Sequence, residues 1–292
     1  MKILVLSRNG ALYSTQSIVK AAKVRGHEVI LFDHLHCNII IEKGKPQLLT
    51  GHDLLEDVDA VIPRIGASAT AYGAAIIRQL EGMGIFTTVA SDALLKARDK
   101  LTCMQILAAH GLDVPKTGIS AGDTCSPTVY DHISKGRAVV KLLSSTQGLG
   151  VILVDSKNQG QSVVEGFHRV GQDVLIQEFI EDAKGSDIRA FVVDAQIVGA
   201  MVRQALPGEF RSNIHRGASS YIADLSPEEI DIALKATKIL GLDIAGVDIL
   251  RSKRGPLILE VNASPGLEGI EGTTKVDIAG KIIEFIEKRV NK

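Results

Sequence analysis

Alternating blocks of apolar and polar residues predict a regular order of strands and helices in the first hundred residues. The apolar runs KILVLS, EVILFD, DAVIPRI and FTTV have the length of buried strands. The segments from Ser14 to Arg25 and from about Ala69 to Glu81 have helical spacing and end close to glycines. Strands that alternate with helices indicate a mostly parallel α/β sheet with helices on its faces. The stretch from Gly44 to Gly51 is polar and poorly patterned.

A long helix and then a smaller unit follow. SDALLKARDKLTCMQILAAHG is predicted as one helix, with Ser91 or Asp92 as its N-cap and Gly111 as its end. From Val114 onward, VPKTGI, AVVKLL, LIQEFI, DIRAFVV and QIVGAMVR are predicted strands, the last two of which form a hairpin. A capped helix is expected to begin at Ser226 and end at Gly241, and VDIAGKIIEFIEKRV is the closing helix.

The stretch VDILRSKRGPLILEVNASPG concentrates oxygen-bearing side chains on a predicted hairpin. With the turn centred on Arg254, Asp248 lies opposite Glu260, and Asn262 shares the face of Glu260. Two carboxylates and an amide oxygen suit Mg²⁺ or Mn²⁺, and Glu260 could bridge two ions that clamp a phosphoryl group. For any one of these residues alone, a solvated position on a half-exposed hairpin is an equally good interpretation.

Lys141 lies inside an apolar strand, where a cation is costly unless an anion pairs with it. The glycine-bearing segment SSTQGLG follows directly and could point backbone N–H groups at phosphate oxygens, although it is not a P-loop. Arg8 and Arg64 follow strands whose carboxyl ends are the usual ligand side of a parallel sheet, so either could hold a substrate carboxylate. A solvated surface arginine is the competing interpretation of both.

Charged residues among apolar strands mark the second half of the chain. Glu178 begins a segment, with Phe179 and Ile180, whose backbone could bind the edge of a purine. Arg203 could stabilise charge on a transferred phosphoryl group, while structural ion pairing is the competing account of Asp187, Arg189 and Arg203. The loop GEFRSNIHRGAS is rich in hydrogen-bond donors and could recognise carboxylates or phosphates through Arg211, Asn213, His215 and Arg216.

Composition narrows the class of protein. The chain has 292 residues, 45% of them hydrophobic and 23% charged, and a net charge of −1, which argues against a large nucleic-acid-binding surface. Three scattered cysteines, Cys37, Cys103 and Cys125, predict reduced thiols and no zinc site. The N-terminal apolar run is too short for a signal sequence, and no run is long enough to cross a bilayer. A cytoplasmic protein without membrane contact is therefore expected.

These motifs together resemble a known family. Lys141 with its glycine-bearing loop, QEFI and D248…EVNASPG resemble the ATP-grasp ligases, and VIPRIG, KARDKL, FRSNIHRG and EVNASPGLEGIE resemble the RimK-type glutamate ligases, with a departure at Ala218. The resemblance implies an N-terminal pre-ATP-grasp α/β domain at residues 1–93. It also implies a two-lobed ATP-grasp fold, with a small lobe and its phosphate-covering loop at 94–175 and a large lobe with the metal site at 176–292.

The resemblance also implies an activity, substrates and roles for single residues. It implies ATP-dependent addition of L-glutamate, through an acyl phosphate, to the C-terminal tail of a small-subunit ribosomal protein, and in this family glutamate can also be polymerised. It further implies a homo-oligomer, dimer or tetramer, without direct contact to nucleic acid. Lys100 and Lys141 would contact phosphates, Glu178 to Ile180 would hold adenine, and Asp187 would hold the ribose. The remaining implied roles are Arg211 and Asn213 near the γ-phosphate and substrate, Arg203 at the acyl-phosphate step, and two divalent ions, Mg²⁺ or Mn²⁺, on Asp248, Glu260 and Asn262. The candidate receptors for anionic substrates are Arg8, Arg64, Arg189, His215 and Arg216.

Two rival functions remain open from the sequence. One is a related ligase that joins an amino acid to a small peptide or a carrier protein, for which the motif chemistry would be identical. The other is a non-catalytic nucleotide-binding regulator, which the intact set of three predicted metal ligands disfavours.

Overall fold

A computed structural model describes residues 1–120, 126–143, 149–214 and 217–291. The N-terminal unit contains the strands and intervening helices β1 (Lys2–Ser7), α1 (Tyr13–Val24), β2 (Glu28–Phe32), β6 (Ala60–Arg64), α2 (Thr70–Gly82) and β7 (Phe86–Thr87). These strands form a parallel sheet in the order β2-β1-β6-β7, as the alternation of strands and helices predicts.

A small antiparallel sheet within this unit was not predicted. It has the order β3-β4-β5 and consists of β3 (Cys37–Ile40), β4 (Gln47–Thr50) and β5 (Asp53–Leu54). Its strands are short and lack a clear alternation of apolar and polar residues, so sequence periodicity could not reveal them. The side chain of Gln79 on α2 donates to the carbonyls of Ile40 and Gln47 at 2.9 Å, which ties this sheet to the helix.

The long helix predicted from Ser91 to Gly111 is wrong in one respect, because the structure divides it in two. Helix α3 (Ser91–Arg98) ends at Asp99, whose backbone is extended, and α4 (Lys100–Ala109) begins directly after it. The carboxylate of Asp99 accepts a hydrogen bond from the backbone N–H of Thr102 at 3.0 Å, as an N-cap residue does. The N-cap of α3 is Ala90 instead of Ser91 or Asp92, and it makes no side-chain hydrogen bond.

The elements of the next unit are β8 (Thr117–Ile119), α5 (Ser126–Ile133), β9 (Ala138–Leu142), β10 (Val151–Val154), α6 (Lys157–Arg169) and β11 (Val174–Glu178). Its four strands form a small antiparallel sheet in the order β10-β9-β11-β8. One face of this sheet packs on α5 and α6. Gly160 of α6 lets the two helices approach each other, since a Cβ there would lie 2.4 Å from the ring of Tyr130 on α5.

The elements of the last unit are β12 (Ser186–Val193), β13 (Gln196–Gln204), β14 (Ser219–Ile222), α7 (Pro227–Leu240), β15 (Ile244–Ser252), β16 (Gly255–Asn262), α8 (Glu268–Thr274) and α9 (Ile278–Val290). Its five strands form a large antiparallel sheet in the order β14-β13-β12-β15-β16. The predicted capping box is confirmed: Ser226 caps α7 with Glu229, and Gly241 ends that helix at a φ of +73°.

The buried side chains divide unevenly among these units. Both faces of β1 share a core with the large sheet: Leu4 belongs to the cluster that contains Val247 of β15, and Ile3 to the cluster that contains Phe191 of β12. Buried residues of α3 and α4 belong to the first of these clusters. The small sheet instead has a separate core around Tyr130. In the described ranges, no helix has the length and apolarity needed to cross a bilayer.

Candidate active site

A cavity of about 1860 Å³ lies where the small sheet, the large sheet and the N-terminal unit meet. Its walls are the exposed face of β9 and β11, the face of the large sheet opposite α7, and the loop after β6 together with the junction of α3 and α4. Most of the predicted site residues in the described part of the chain line it: Arg64, Lys100, Lys141, Glu178, Phe179, Ile180, Asp187, Arg189, Arg203, Arg211, Asn213, Asp248, Glu260 and Asn262.

The hairpin of β15 and β16 brings the three predicted metal ligands to one face. Ser252 pairs with Gly255, so the turn is Lys253-Arg254 and is not centred on Arg254. A β-bulge after Ile258 then shifts the register by one residue, and Asp248 consequently pairs with Glu260 and Gly246 with Asn262. The predicted pairing is confirmed, although its cause is the bulge and not the assumed centre of the turn.

Arginines neutralise the aspartates on this wall. The Asp248 carboxylate accepts from Arg189 at 2.7 and 2.6 Å and lies 2.9 Å from Nη2 of Arg203. Arg203 also forks onto Asp187 at 2.7 and 2.6 Å. Burial alone would raise the pKa of Asp248, but the two guanidinium groups outweigh it and hold that pKa below its usual value. Interstrand ion pairing, the competing account from the sequence, is therefore present among residues that also line the cavity.

The donor set on the hairpin fits a divalent cation by its chemistry. Asn262 lies beside Glu260, with its amide nitrogen 3.2 Å from Oε1 of Glu260 and its amide oxygen 3.2 Å from Arg189 once the amide is oriented to satisfy both groups. The described residues contain no cluster of three histidine, cysteine or acidic side chains, so a site here rests on two carboxylates and one amide. Such hard oxygen ligands are the kind that Mg²⁺ and Mn²⁺ take. Glu260 and Asn262 are partly exposed to the cavity, whereas Asp248 is buried.

The opposite wall carries Lys141 in the centre of β9. Its neighbours Val140 and Ala138 pack into the separate core, and Lys141 projects from the cavity face, where its Nζ donates to Oε1 of Gln177 at 2.6 Å. Burial lowers the pKa of Lys141 to about 8, and Glu260 opposes that shift. Lys100 approaches the same wall and donates to the Leu143 carbonyl at 3.1 Å. Residues 144–148 of the predicted phosphate-covering loop, SSTQGLG, lie outside the described residues.

The predicted adenine segment offers its backbone more readily than the Glu178 side chain. That carboxylate accepts from the backbone N–H of Lys116 at 2.5 Å and is bound by both terminal nitrogens of Arg254. The ring of Phe179 meets Phe210 edge to face, with centroids 6.2 Å apart, and the Arg137 guanidinium stacks over Phe179 at 4.5 Å. The segment is thus held between the two sheets.

The donor-rich loop joins β13 to β14 of the large sheet, and its Arg211 contacts β10 of the small sheet. Arg211 is gripped by its neighbour Glu209 at 2.9 and 2.6 Å, and its Nη1 lies 3.4 Å from the carbonyl of Val151 on β10. Hydrogen bonds from Arg211 lower the pKa of Glu209 to about 2. Asn213 lines the cavity, while His215 and Arg216 lie outside the described residues.

The end of β6 and the end of α3 contribute two arginines to the cavity, one of which was not predicted as a site residue. Arg64 lines it, as predicted, whereas the exposed Arg8 donates to Oγ of Ser68 and is not part of the described lining. Arg98 also lines the cavity, beside Lys100. In one continuous helix, residues 98 and 100 would point about 200° apart. The break at Asp99 lets both reach the cavity, and the capping pattern of Asp99 before Thr102 was the available signal.

Solved structures with a similar fold include an ATP-grasp ligase and a macrocyclase. The ATP-grasp ligase PsnB, solved with a phosphomimetic variant of its minimal precursor, Mg and ADP, superposes with a TM-score of 0.75 at 20% identity, covering 100% of this chain and 98% of PsnB. The macrocyclase MdnC from Microcystis aeruginosa, bound with precursor peptide MdnA, gives a TM-score of 0.75 at 18% identity over 99% of this chain and 100% of MdnC. The predicted fold class is confirmed.

The family follows from the sequence comparisons. The RimK PreATP-grasp domain matches residues 1–94, and the RimK-like ATP-grasp domain matches residues 97–286. A probable alpha-L-glutamate ligase from Pseudomonas savastanoi pv. phaseolicola is 49% identical over 288 residues, which are 99% of this chain and 96% of that relative. The chain therefore belongs to the RimK-like ATP-grasp family.

Proposed function

We propose that this protein is an ATP-dependent carboxylate–amine ligase that adds L-glutamate to the C-terminus of an acceptor protein. The observation that carries the proposal is one cavity in which Lys141 faces Asp248, Glu260 and Asn262 from the opposite sheet. Lysine on one wall can bind the phosphates of a nucleoside triphosphate, and the hard oxygen ligands on the other wall can bind its divalent ions. The glutamate donor rests on the relatives, which are named as glutamate ligases.

A chemical argument gives the order of steps. A carboxylate and an amine do not condense in water at neutral pH, so the carboxylate oxygen of the acceptor first attacks the γ-phosphorus of ATP. ADP leaves, and the acceptor carries an acyl phosphate. The glutamate amine then attacks the acyl carbon, phosphate departs with the C–O bond, and the amine loses a proton as the amide forms.

The chain's own residues have separate tasks in this scheme. Lys100 and Lys141 hold phosphate oxygens, the backbone from Glu178 to Ile180 holds adenine, and Asp187 lies at the ribose. Arg203 and Arg211 offset the negative charge on the transferred phosphoryl group, and Asn213 lies near the γ-phosphate. Asp248, Glu260 and Asn262 would hold two divalent ions, Mg²⁺ or Mn²⁺, which neutralise charge on the phosphate oxygens when bound.

The acceptor is proposed to be the C-terminal tail of a small-subunit ribosomal protein. Mass spectrometry of a ribosomal protein fraction incubated with enzyme, ATP and glutamate tests donor and acceptor together. Mass additions in steps of one glutamyl residue on one protein are expected, and they should disappear with the Glu260→Ala enzyme. The absence of any such addition with an enzyme that releases ADP in the presence of glutamate would refute the ribosomal acceptor but not the ligase.

A related ligase for a small peptide or a carrier protein remains the second candidate, because bound precursors accompany PsnB and MdnC in their structures. ADP release with a panel of amines and acceptor peptides separates the two. A cytoplasmic location and a homo-oligomeric state, dimer or tetramer, complete the proposal. Size-exclusion chromatography with light scattering tests the oligomer.

A further inference from the structure

Two cavity arginines differ from the others in what they contact. Arg64 ends β6 and donates from Nη2 to the carbonyl of Pro265 at 2.8 Å. Arg98 ends α3 and donates from Nη2 to the carbonyl of Ile65 at 2.7 Å. A guanidinium has five N–H groups, and in each of these arginines the described residues accept only one of them. No other described residue accepts from them, so these N–H groups can donate to a molecule in the cavity.

Neither of these arginines forms an ion pair with a carboxylate among the described residues, although the charge of Glu260 partly offsets the burial that lowers the pKa of Arg98. Among the described residues, no acidic oxygen lies within 4.0 Å of either guanidinium. The other three arginines that line the cavity each have a carboxylate oxygen at 2.6 Å, namely Arg189, Arg203 and Arg211. A partly buried arginine that lacks such a partner is costly to keep, so an anion supplied from outside would offset that cost.

The positive charge of Arg98 acts on Arg64. The hydrogen bond from Arg98 ends on Ile65, the residue directly after Arg64, and both arginines line the cavity. Burial first, and then the positive charge of Arg98, lower the pKa of Arg64 to about 10. Two like charges therefore lie near enough in the cavity lining to repel each other. One anion between them would relieve the repulsion and accept from two planar forks at once.

We propose that Arg64 and Arg98 form a carboxylate-binding subsite for a ligase substrate. The inference rests on the proposed function, in which two substrates bring carboxylates: glutamate, with an α- and a side-chain carboxylate, and the acceptor, with its terminal carboxylate. Arg64, Gly66 and Arg98 all line the cavity, and a Cβ added at Gly66 would meet no atom of the described residues within 4 Å. Phosphate oxygens of ATP are the competing anion.

Steady-state ADP release with Arg64→Gln and Arg98→Gln tests the subsite, with KM measured separately for ATP, glutamate and the acceptor. A tenfold or larger rise in KM for glutamate assigns the subsite to the amino acid, and the same rise for the acceptor assigns it to the acceptor. Arg98→Lys, which keeps the charge but loses the fork, should recover part of the loss. Arg78→Gln is the matched control, since Arg78 lies on α2 with an exposed partner, Asp92.

The thermal midpoint of the ligand-free protein distinguishes a binding role from a structural one. Removing one of two repelling charges should leave the midpoint unchanged or raise it, whereas loss of a structural contact would lower it. A rise in KM for ATP alone, an equal rise in all three KM values with a lowered midpoint, or unchanged KM values would each overturn the subsite. If the wild type and Arg78→Gln release no ADP with glutamate, the proposed function fails instead.

Discussion

The large sheet and the small sheet face the same cavity but carry charge in different ways. On the large sheet, Asp187 and Asp248 are paired with Arg189 and Arg203 within 2.9 Å. On the small sheet, Lys141 has the neutral amide oxygen of Gln177 as its partner. The two aspartates of the large sheet are thus paired with arginines before a ligand arrives, whereas an arriving anion would give Lys141 an ionic partner. The difference teaches that the ion pairs of the large sheet contribute to the stability of the ligand-free chain, while Lys141 is stabilised by binding.

Substitution of Glu260, on the large-sheet wall of the cavity, is expected to have the largest effect. Glu260→Gln should lower amine-dependent ADP release roughly 10³-fold, because several kcal/mol of charge stabilisation at the phosphoryl group depend on this carboxylate. Initial rates from a coupled ADP assay provide the measurement, and Glu165→Gln, an exposed carboxylate on α6, is the control. A loss smaller than tenfold would contradict the assignment of Glu260 as a metal ligand.

The ion pairs among Asp187, Arg203 and Asp248 on the same wall should contribute strongly to the free energy of unfolding. Arg203→Met leaves Asp187 without its fork and removes one of the two cations on Asp248, which should lower the free energy of unfolding by about 3–5 kcal/mol. Urea denaturation measures this value. The double variant Asp187→Asn/Arg203→Met should recover most of the loss, and equal instability of the two variants would show that charge pairing is not the cause.

Substitution of Lys141, on the small-sheet wall of the cavity, should weaken ATP binding without lowering the stability of the ligand-free chain, in contrast to Arg203→Met. Lys141→Met should raise KM for ATP roughly 10- to 100-fold, since a hydrogen bond to a charged group contributes about 1.5–3 kcal/mol. The ligand-free protein should be as stable as the wild type or more stable, because a costly partly buried cation is gone. Lys157→Met, an exposed lysine paired with Asp131 on the same lobe, is the control. A less stable variant with unchanged KM would contradict the contrast between the walls.

A pH series sharpens the same contrast with the smallest effect. The pKa of Lys141 is about 8 in the folded chain and near its usual 10.5 in the unfolded chain. Below pH 8 both states are protonated and the destabilisation is complete. Between pH 8 and 10.5 the unfolded chain binds more protons, so stability from this group rises with pH. The stability advantage of Lys141→Met should therefore shrink from pH 8 to 10, and KM of the wild type for ATP should rise. An advantage independent of pH would contradict this.

Helices and strands were predicted correctly where a single local signal, such as an apolar run or a capping residue, determines the element. The run KILVLS became β1 with its bounds unchanged, and Ser226 and Gly241 marked α7 correctly. The pairing of Asp248 with Glu260 was also predicted, yet the bulge that produces it was not, because a one-residue insertion leaves no periodic trace in a short apolar run.

The site was harder to predict where tertiary packing decides. Arg98 was missed because its helix periodicity continues through Asp99, and only a competing cap breaks it there. Glu178 was expected at adenine, but the sequence could not show that Arg254, 76 residues later, would bind its carboxylate. The domain boundaries at 94 and 176 and the individual site roles stay predictions, and the structure adds that α3 and α4 pack into the core shared with the large sheet.

The shared core also bears on how the chain could be re-engineered. Leu4 and Val247 belong to one hydrophobic core, and Ile3 and Phe191 belong to another. The first 94 residues therefore cannot be replaced as an independent domain without disturbing these cores. A chimera that carries the N-terminal unit of a relative would need apolar side chains of matching volume along β1, α2 and α9. The small sheet and its helices, between residues 117 and 178, have a separate core and are the better unit to exchange.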